Sequence, residues 1–184
     1  MLAVQGPWAT ERLAGMSDQP DRVRSAGMFG VVRASFAGVP CFAARSGYTG
    51  EDGYELVCDS AHAEKLWDAL MEGGATACGL GSRDVLRVEA GLPLYGHELG
   101  DDLSPIAAGL GWVIGKEKRF VGCEPIQAAR ASGTPQRLLG VKMDGKRLPP
   151  QGAAVRIGDR QVGTVSSGVY SPLLERGIGF AFVD

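Results

Sequence analysis

Hydrophobic and polar positions divide this chain into two textures. Leu2-Ala3-Val4 reads as a strand. Gly6-Pro7 breaks it and opens a helix, because proline suits the first helical position, and Trp8, Ala9 and Leu13 are expected to pack inward. Residues 16 to 27 are polar and irregular. Met28 to Phe36 and Val39 to Ala44 read as two strands of a hairpin turning at Ala37-Gly38. A strand over Tyr54 to Cys58 follows, then a helix over 61–72 with Ser60 as its N-cap. Leu66, Trp67, Ala69 and Leu70 form the apolar stripe of that helix, and Gly73-Gly74 closes it. Ala75 to Leu80 is short and apolar and completes a β-α-β-β-loop-β-α-β order. Ser82 caps a further helix, Arg83 to Ala90. This order predicts an α+β class with a ferredoxin-like body.

The texture changes near residue 135, after a loop-rich stretch. Residues 91 to 115 are loop-rich, and Pro125 to Ala131 reads as a short helix. Beyond Gly133-Thr134-Pro135, short strands over Gln136 to Met143, Ala153 to Ile157, Gln161 to Ser167 and Ile178 to Val183 alternate with turn residues. They predict a small C-terminal all-β module. The expected domains are therefore 1–115, a connecting segment over 116–135, and an incomplete barrel over 136–184. Both ends of the chain look cut within a strand, so a fragment is expected.

Composition narrows the function classes. A net charge of −2 over 184 residues leaves no basic surplus for nucleic acid and no polybasic patch for a membrane. No signal peptide or spanning segment is visible, so a cytoplasmic location is expected. Cys41, Cys58, Cys78 and Cys123 are widely spaced, and only His62 and His97 are available to complete a metal site. Buried free thiols in a reducing cytosol are the expectation, not zinc.

Three stretches carry candidate chemistry. Ser46-Gly47-Tyr48-Thr49-Gly50-Glu51-Asp52-Gly53-Tyr54-Glu55 packs three glycines, three acids and two tyrosines into ten residues. Such a loop is tight and shaped. Tyr48 offers a ring, and Glu55 is a carboxylate able to accept two N–H bonds at once. The bland alternative is that Glu51 and Asp52 solvate a turn and Glu55 points outward. Arg83 and Arg87, four apart, lie on one helix face suited to a carboxylate-bearing ligand, or else serve local ion pairs. In Leu94-Tyr95-Gly96-His97-Glu98, His97 and Glu98 suggest an acid/base pair. No serine or cysteine partner for a hydrolase triad is recognisable. Trp112 is either core or a ring platform, with core the ordinary outcome.

Four separated segments resemble the glycine cleavage T-protein family. They are Leu2 to Pro7, Arg45 to Glu55, Gly81 to Gly96 and Gly163 to Pro172. The resemblance covers essentially the whole chain. It implies a folate-binding α+β body joined to a C-terminal β-barrel. It also implies tetrahydrofolate-dependent aminomethyl transfer: the one-carbon unit on the lipoyl arm of an H-protein passes to tetrahydrofolate, with release of ammonia. By that resemblance Tyr48 and Glu55 are pterin-pocket residues, Arg83 binds ligand, and Arg87, Tyr95 and Trp112 are further candidates. The family's catalytic aspartate matches no residue here, nor does the tyrosine near the family's C-terminus, so this chain is expected to lack catalysis. Two relatives of the same fold stay open as alternatives. One is the folate domain of a dimethylglycine- or sarcosine-oxidising paralogue. The other is a non-catalytic folate-binding iron–sulfur repair protein, although Arg119 to Pro125 lacks the tyrosine and glutamine of that group's motif.

Overall fold

The computed structural model describes residues 1–115 and 119–184. It contains two compact units, Met1–Leu86 and Arg87–Asp184. The expected connecting segment over 116–135 falls partly outside the described residues.

The first unit is an antiparallel sheet with helices on one face. Its strands are β1 (Leu2–Gln5), β2 (Val31–Phe36), β3 (Val39–Ala44) and β4 (Gly53–Val57), in the order β1-β4-β3-β2. The hairpin joins β2 and β3 as expected, with Phe36 opposite Val39. Ala37 and Gly38 both have positive φ, 49° and 74°, which suits the twist of a two-residue hairpin loop. Strict alternation along the strands sends Val32, Ala34, Phe36, Cys41, Ala43, Tyr54 and Leu56 into one core. It leaves Val31, Phe42 and Val57 on the opposite, exposed face. Helices α1 (Ala9–Met16), α2 (Pro20–Ser25) and α3 (Ala63–Glu72) add Leu13, Val23, Leu66 and Leu70 to that core. The Tyr54 hydroxyl donates to Val23 O at 2.5 Å, so this buried ring keeps its polar tip satisfied.

Several local expectations are corrected. Residues 20–25 are helical, because Pro20 stands at the start of α2, where its missing N–H costs nothing. Trp8 and Trp67 do not pack inward; both are exposed, and Ala9, Leu13, Leu66 and Leu70 carry those faces. Asp59, not Ser60, accepts from the Ala61 N–H at 2.9 Å and starts a 3-10 turn ahead of α3. The segment from Ala75 forms no strand, and Leu80 already begins α4 (Leu80–Glu89). Ser82 lies inside α4 and donates to Gly79 O at 2.7 Å instead of capping the helix.

The second unit holds β5 (Arg137–Lys142), β6 (Ala154–Ile157), β7 (Arg160–Ser171) and β8 (Arg176–Val183) in the order β5-β8-β7-β6, all antiparallel. α5 (Cys123–Ser132) precedes them. Val162, Val165, Val169, Ile178, Phe180, Ala181 and Phe182 make its core. β7 is longer than the sequence pattern indicates because it runs on through a bulge: Val165 faces Ala181 and Ser167 faces Phe180, leaving Ser166 as the extra residue. The 145–152 loop crosses β7 so closely that a Cβ on Gly168 would stand 1.8 Å from Pro149 O.

Leu56 is fully buried at the centre of the first unit. Leu56→Ala is expected to cost about 2–5 kcal/mol, the usual range for a leucine deleted from a packed core. Urea unfolding followed by circular dichroism checks this, and an unchanged midpoint would remove β4 from the core.

Candidate functional site

In the first unit the glycine-acid loop is fastened from below. Asp52 is the anchor. Arg45 Nε and Nη2 donate to its two carboxylate oxygens, each at 2.9 Å, and the Thr10 hydroxyl donates at 2.6 Å. Arg45 Nη1 also donates to Ala26 O at 2.6 Å, and the Gly6 N–H donates to Asp52 O at 2.8 Å. The bidentate pair holds the Asp52 carboxyl below its usual range. The Arg45 bonds come first among the causes, then the Thr10 bond, and together they overcome the opposing effect of burial. Gln5 ties the other end: its Nε2 donates to Ser46 O at 3.0 Å and Tyr54 O at 3.3 Å. A Cβ on Gly47 would meet Gln5 Oε1 at 1.8 Å, so a side chain there would displace the Gln5 amide from this tie.

On this base the expected residues gather. Glu55 sits in β4 between Ala3 and Ala44 on the neighbouring strands, half-buried on the face away from the core. The Ser46 hydroxyl donates to Glu55 Oε2 at 2.5 Å and fixes the carboxylate's orientation. The guanidinium of Arg83, on α4, lies over the Tyr48 ring at 5.1 Å from its centroid, a cation–π distance. Tyr48 is half-buried and Arg83 exposed. Tyr48, Glu55 and Arg83 therefore all belong to the first unit and stand on the loop, the adjoining strand and a helix. Neither of two clefts elsewhere in the unit involves them. One, of about 560 Å³, is lined by residues that include Asp18, Arg33, Cys41 and Cys58. The other, of about 370 Å³, is lined by Trp8, Glu11 and Arg12.

The remaining candidates lie in the second unit, and they differ. Arg87 is 1% exposed. Its Nη1 pairs with Glu98 Oε2 at 2.9 Å, its Nη2 donates to the Ser167 hydroxyl at 2.8 Å, and the Phe180 ring lies 5.8 Å away. This guanidinium is spent inside the unit, so α4 does not present two ligand-binding cations. Glu98 is fully buried and also accepts from the Ser166 and Ser167 hydroxyls, each at 2.6 Å, and from the Leu94 N–H at 3.0 Å. Burial pushes its carboxyl up. The Ser166, Ser167 and Leu94 bonds and the Arg87 charge outweigh that and leave it below the usual range. An anion held this firmly is a poor acid or base, and His97 is not paired to it as expected. The Nδ1 of His97 lies 3.2 Å from Ser166 O and 3.1 Å from the Ser167 hydroxyl. A carbonyl can only accept, so the ring donates to Ser166 O. Tyr95 is exposed, with its hydroxyl donating to Asp101 at 2.9 Å. Trp112 is exposed in a 3-10 turn and is not core. Arg130 Nη2 holds that turn by donating to Gly111 O at 2.5 Å and Ile114 O at 3.0 Å.

Sequence reasoning missed the Asp52 anchor and the Glu98 cluster. Two adjacent serines between Val165 and Gly168, Ser166-Ser167, were the available signal for the second. In a regular strand their side chains point to opposite faces, but the bulge turns both toward Glu98. Among the described residues no group of three or more side chains has metal-binding geometry, and no helix is long and apolar enough to cross a membrane.

The fold and loop define a class: a mixed α+β body with a carboxylate, a tyrosine and an arginine at its surface loop, followed by a small antiparallel β domain. Residues 1–118 match the GCVT N-terminal domain, and residues 136–184 match the glycine cleavage T-protein C-terminal barrel domain. The chain belongs to the glycine cleavage T-protein, or aminomethyltransferase, family. It is 48% identical to the aminomethyltransferase of Streptomyces avermitilis and 46% identical to that of Thermus thermophilus, in each case over the whole chain and 51% of the relative. A crystal structure of glycine cleavage system aminomethyltransferase T from Bartonella henselae superposes with a TM-score of 0.88 at 29% identity, over 98% of this chain and 50% of that one. The chain spans about half the length of the curated relatives it matches.

Removing Glu98 leaves Arg87 buried without its counter-ion. Glu98→Ala is expected to destabilise the second unit by about 3–5 kcal/mol, read by chemical denaturation; a loss within error would mean that the pair does not hold the unit. Asp52 and Glu98 both titrate below the ordinary carboxylate value. Their contribution to stability is therefore complete above that value, about pH 4, and disappears as pH falls through their folded-state values. Denaturation midpoints measured across the acid range should drop for the native chain and drop less steeply for Asp52→Asn. Equal slopes would contradict the anchor.

Proposed function

We propose that this chain is part of a tetrahydrofolate-dependent aminomethyltransferase of the glycine cleavage system, and that its residues bind and orient the folate. In this reading the parent enzyme moves the one-carbon unit of an aminomethyl-lipoyl H-protein to tetrahydrofolate and releases ammonia. The observation that carries the reading is Tyr48 on a loop fastened by Asp52, with Glu55 on the adjoining strand held by Ser46 and Arg83 of α4 over the Tyr48 ring.

The residues fit such a ligand chemically. An aminopyrimidine edge presents two parallel N–H donors, and a carboxylate has acceptor positions for both. Ser46 holds Glu55 Oε2 and so fixes the plane in which those donors are met. Arg83 is an exposed, planar cation suited to the carboxylate tail of a folate, and it stacks on Tyr48. Folate supplies the nitrogen that accepts the one-carbon unit. The role of Glu55, Tyr48 and Arg83 is to set that ring's position. Tyr95 and Trp112, exposed in the second unit, are proposed as candidate ring contacts independently of this set, each to be tested alone. Arg87 is left out on physical grounds, because burial with Glu98 leaves it no surface for a ligand. We place the boundary of the folate-binding part near residue 115 and the start of the barrel near 136, and we assign the protein to the cytoplasm.

Isothermal titration of the purified chain with tetrahydrofolate tests this. Saturable binding is expected. Glu55→Ala should weaken it by roughly 10- to 100-fold, the loss of a charge-assisted hydrogen-bond pair, and Arg83→Ala by a smaller factor. Binding that is indifferent to both substitutions would sink the proposal.

A further inference from the structure

Cys41 and Cys58 stand apart from the folate reading. β3 and β4 run antiparallel with Phe42 opposite Val57, and continuing that register one residue past the end of β4 sets Cys41 opposite Cys58. Opposed residues of an antiparallel pair project to the same face. Here that is the core face: Cys41 is buried in the core, and Cys58 packs against it from a half-buried position. Cys58 is close enough to act on the Cys41 thiol, which donates to Val39 O at 3.4 Å. Opposed Cα atoms in an antiparallel ladder are about 4.5–5.5 Å apart, inside the span of about 4.4–6.8 Å that a disulfide bridges. Both cysteines line the 560 Å³ cleft, together with Asp18, Arg33 and Asp59. The expectation of four buried thiols thus holds only for Cys41; Cys58 and Cys123 are half-buried and Cys78 is exposed.

We propose that Cys41 and Cys58 form a reversible cross-strand disulfide when the protein meets a hydroperoxide, making this end of the β3–β4 pair a redox modification site. Cys58, the more accessible of the two, is the first to react. Its thiolate attacks the peroxide oxygen; an S–O bond forms, the O–O bond breaks, and the departing oxygen takes up the proton that the thiol released, leaving as water or an alcohol. The Cys41 sulfur then attacks the Cys58 sulfur. The S–S bond forms, the S–O bond breaks, and the departing hydroxide takes the Cys41 proton as water. The two thiols together surrender two electrons and the peroxide accepts them. Burial, followed by the neighbouring Cys58, pushes the Cys41 thiol up to about 11, which makes Cys41 the slow, resolving partner and not the attacking one. The bond staples β3 to the end of β4. It reverses with an added dithiol, as expected of a disulfide in a reducing compartment.

The test treats the purified chain with hydrogen peroxide, then counts thiols in denaturant and maps peptides. Two of the four thiols should be lost, as one intramolecular link between Cys41 and Cys58 that dithiothreitol restores. The Cys78→Ser, Cys123→Ser double variant should form the same link, and because it retains both β-sheet thiols its result does not depend on disturbing the core. Cys58→Ser, checked for native circular dichroism, should abolish the link. Four thiols surviving in the oxidised chain would overturn the proposal. So would linkage through Cys78 or Cys123, or between molecules. Tetrahydrofolate titration of the reduced chain is a separate readout, so failure of the folate reading leaves this result intact.

Discussion

The first unit depends on one ion pair. Asp52 and Arg45 meet in a bidentate clamp at the two ends of the glycine-acid loop, and Thr10 and the Gly6 N–H draw the start of α1 and the end of β1 into the same knot. Exposed ion pairs contribute little, but this one is partly buried and shares its hydrogen bonds with backbone and hydroxyl groups. It converts a glycine-rich stretch, which would otherwise sample many shapes, into one shape. Ser46 and Tyr48 inherit their positions from that shape, and β4 places Glu55 beside them.

The second unit solves a different problem, burying a full carboxylate and a full guanidinium. Desolvating two charges is costly, and their attraction repays it only if the remaining polar atoms are satisfied. Two serine hydroxyls and the Leu94 N–H complete Glu98, while Leu92 O and the Ser167 hydroxyl serve Arg87. Among the described residues, no buried side-chain nitrogen or oxygen lacks a partner. The extra residue in β7 makes this possible, since it brings both serines to one carboxylate oxygen.

Much of this was legible in the sequence where period and punctuation agree. β2, β3, β4, β5, β6 and β8 fall close to their alternating apolar runs, and the resemblance to the T-protein family rests on motifs dense in glycine and charge. Legibility failed where one residue has two meanings. Pro20 reads as a breaker and serves as the first residue of α2. Ser60 and Ser82 read as caps, yet Asp59 does the first job and Ser82 bonds within its own helix. Arg83 and Arg87 share a helix and a side-chain type, and only the tertiary structure distinguishes the exposed one from the buried one. The tryptophans misled for a related reason. Hydrophobicity alone puts Trp8, Trp67 and Trp112 inside, whereas Ala9 and Leu13 fill the core side of α1, Leu66 and Leu70 fill that of α3, and Trp112 stands exposed in a 3-10 turn.

The pairing of β1 with β4 also sets a timetable for synthesis. Leu2 to Gln5 pair with Gly53 to Leu56, so β1 leaves the ribosome well before the strand that seats it. Until β4 emerges the nascent chain can close the local β2–β3 hairpin, while β1 waits for this partner. Closing that long loop exacts an entropic toll that grows slowly with its length. The edge of the sheet is therefore finished late, after the glycine-acid loop has emerged and turned.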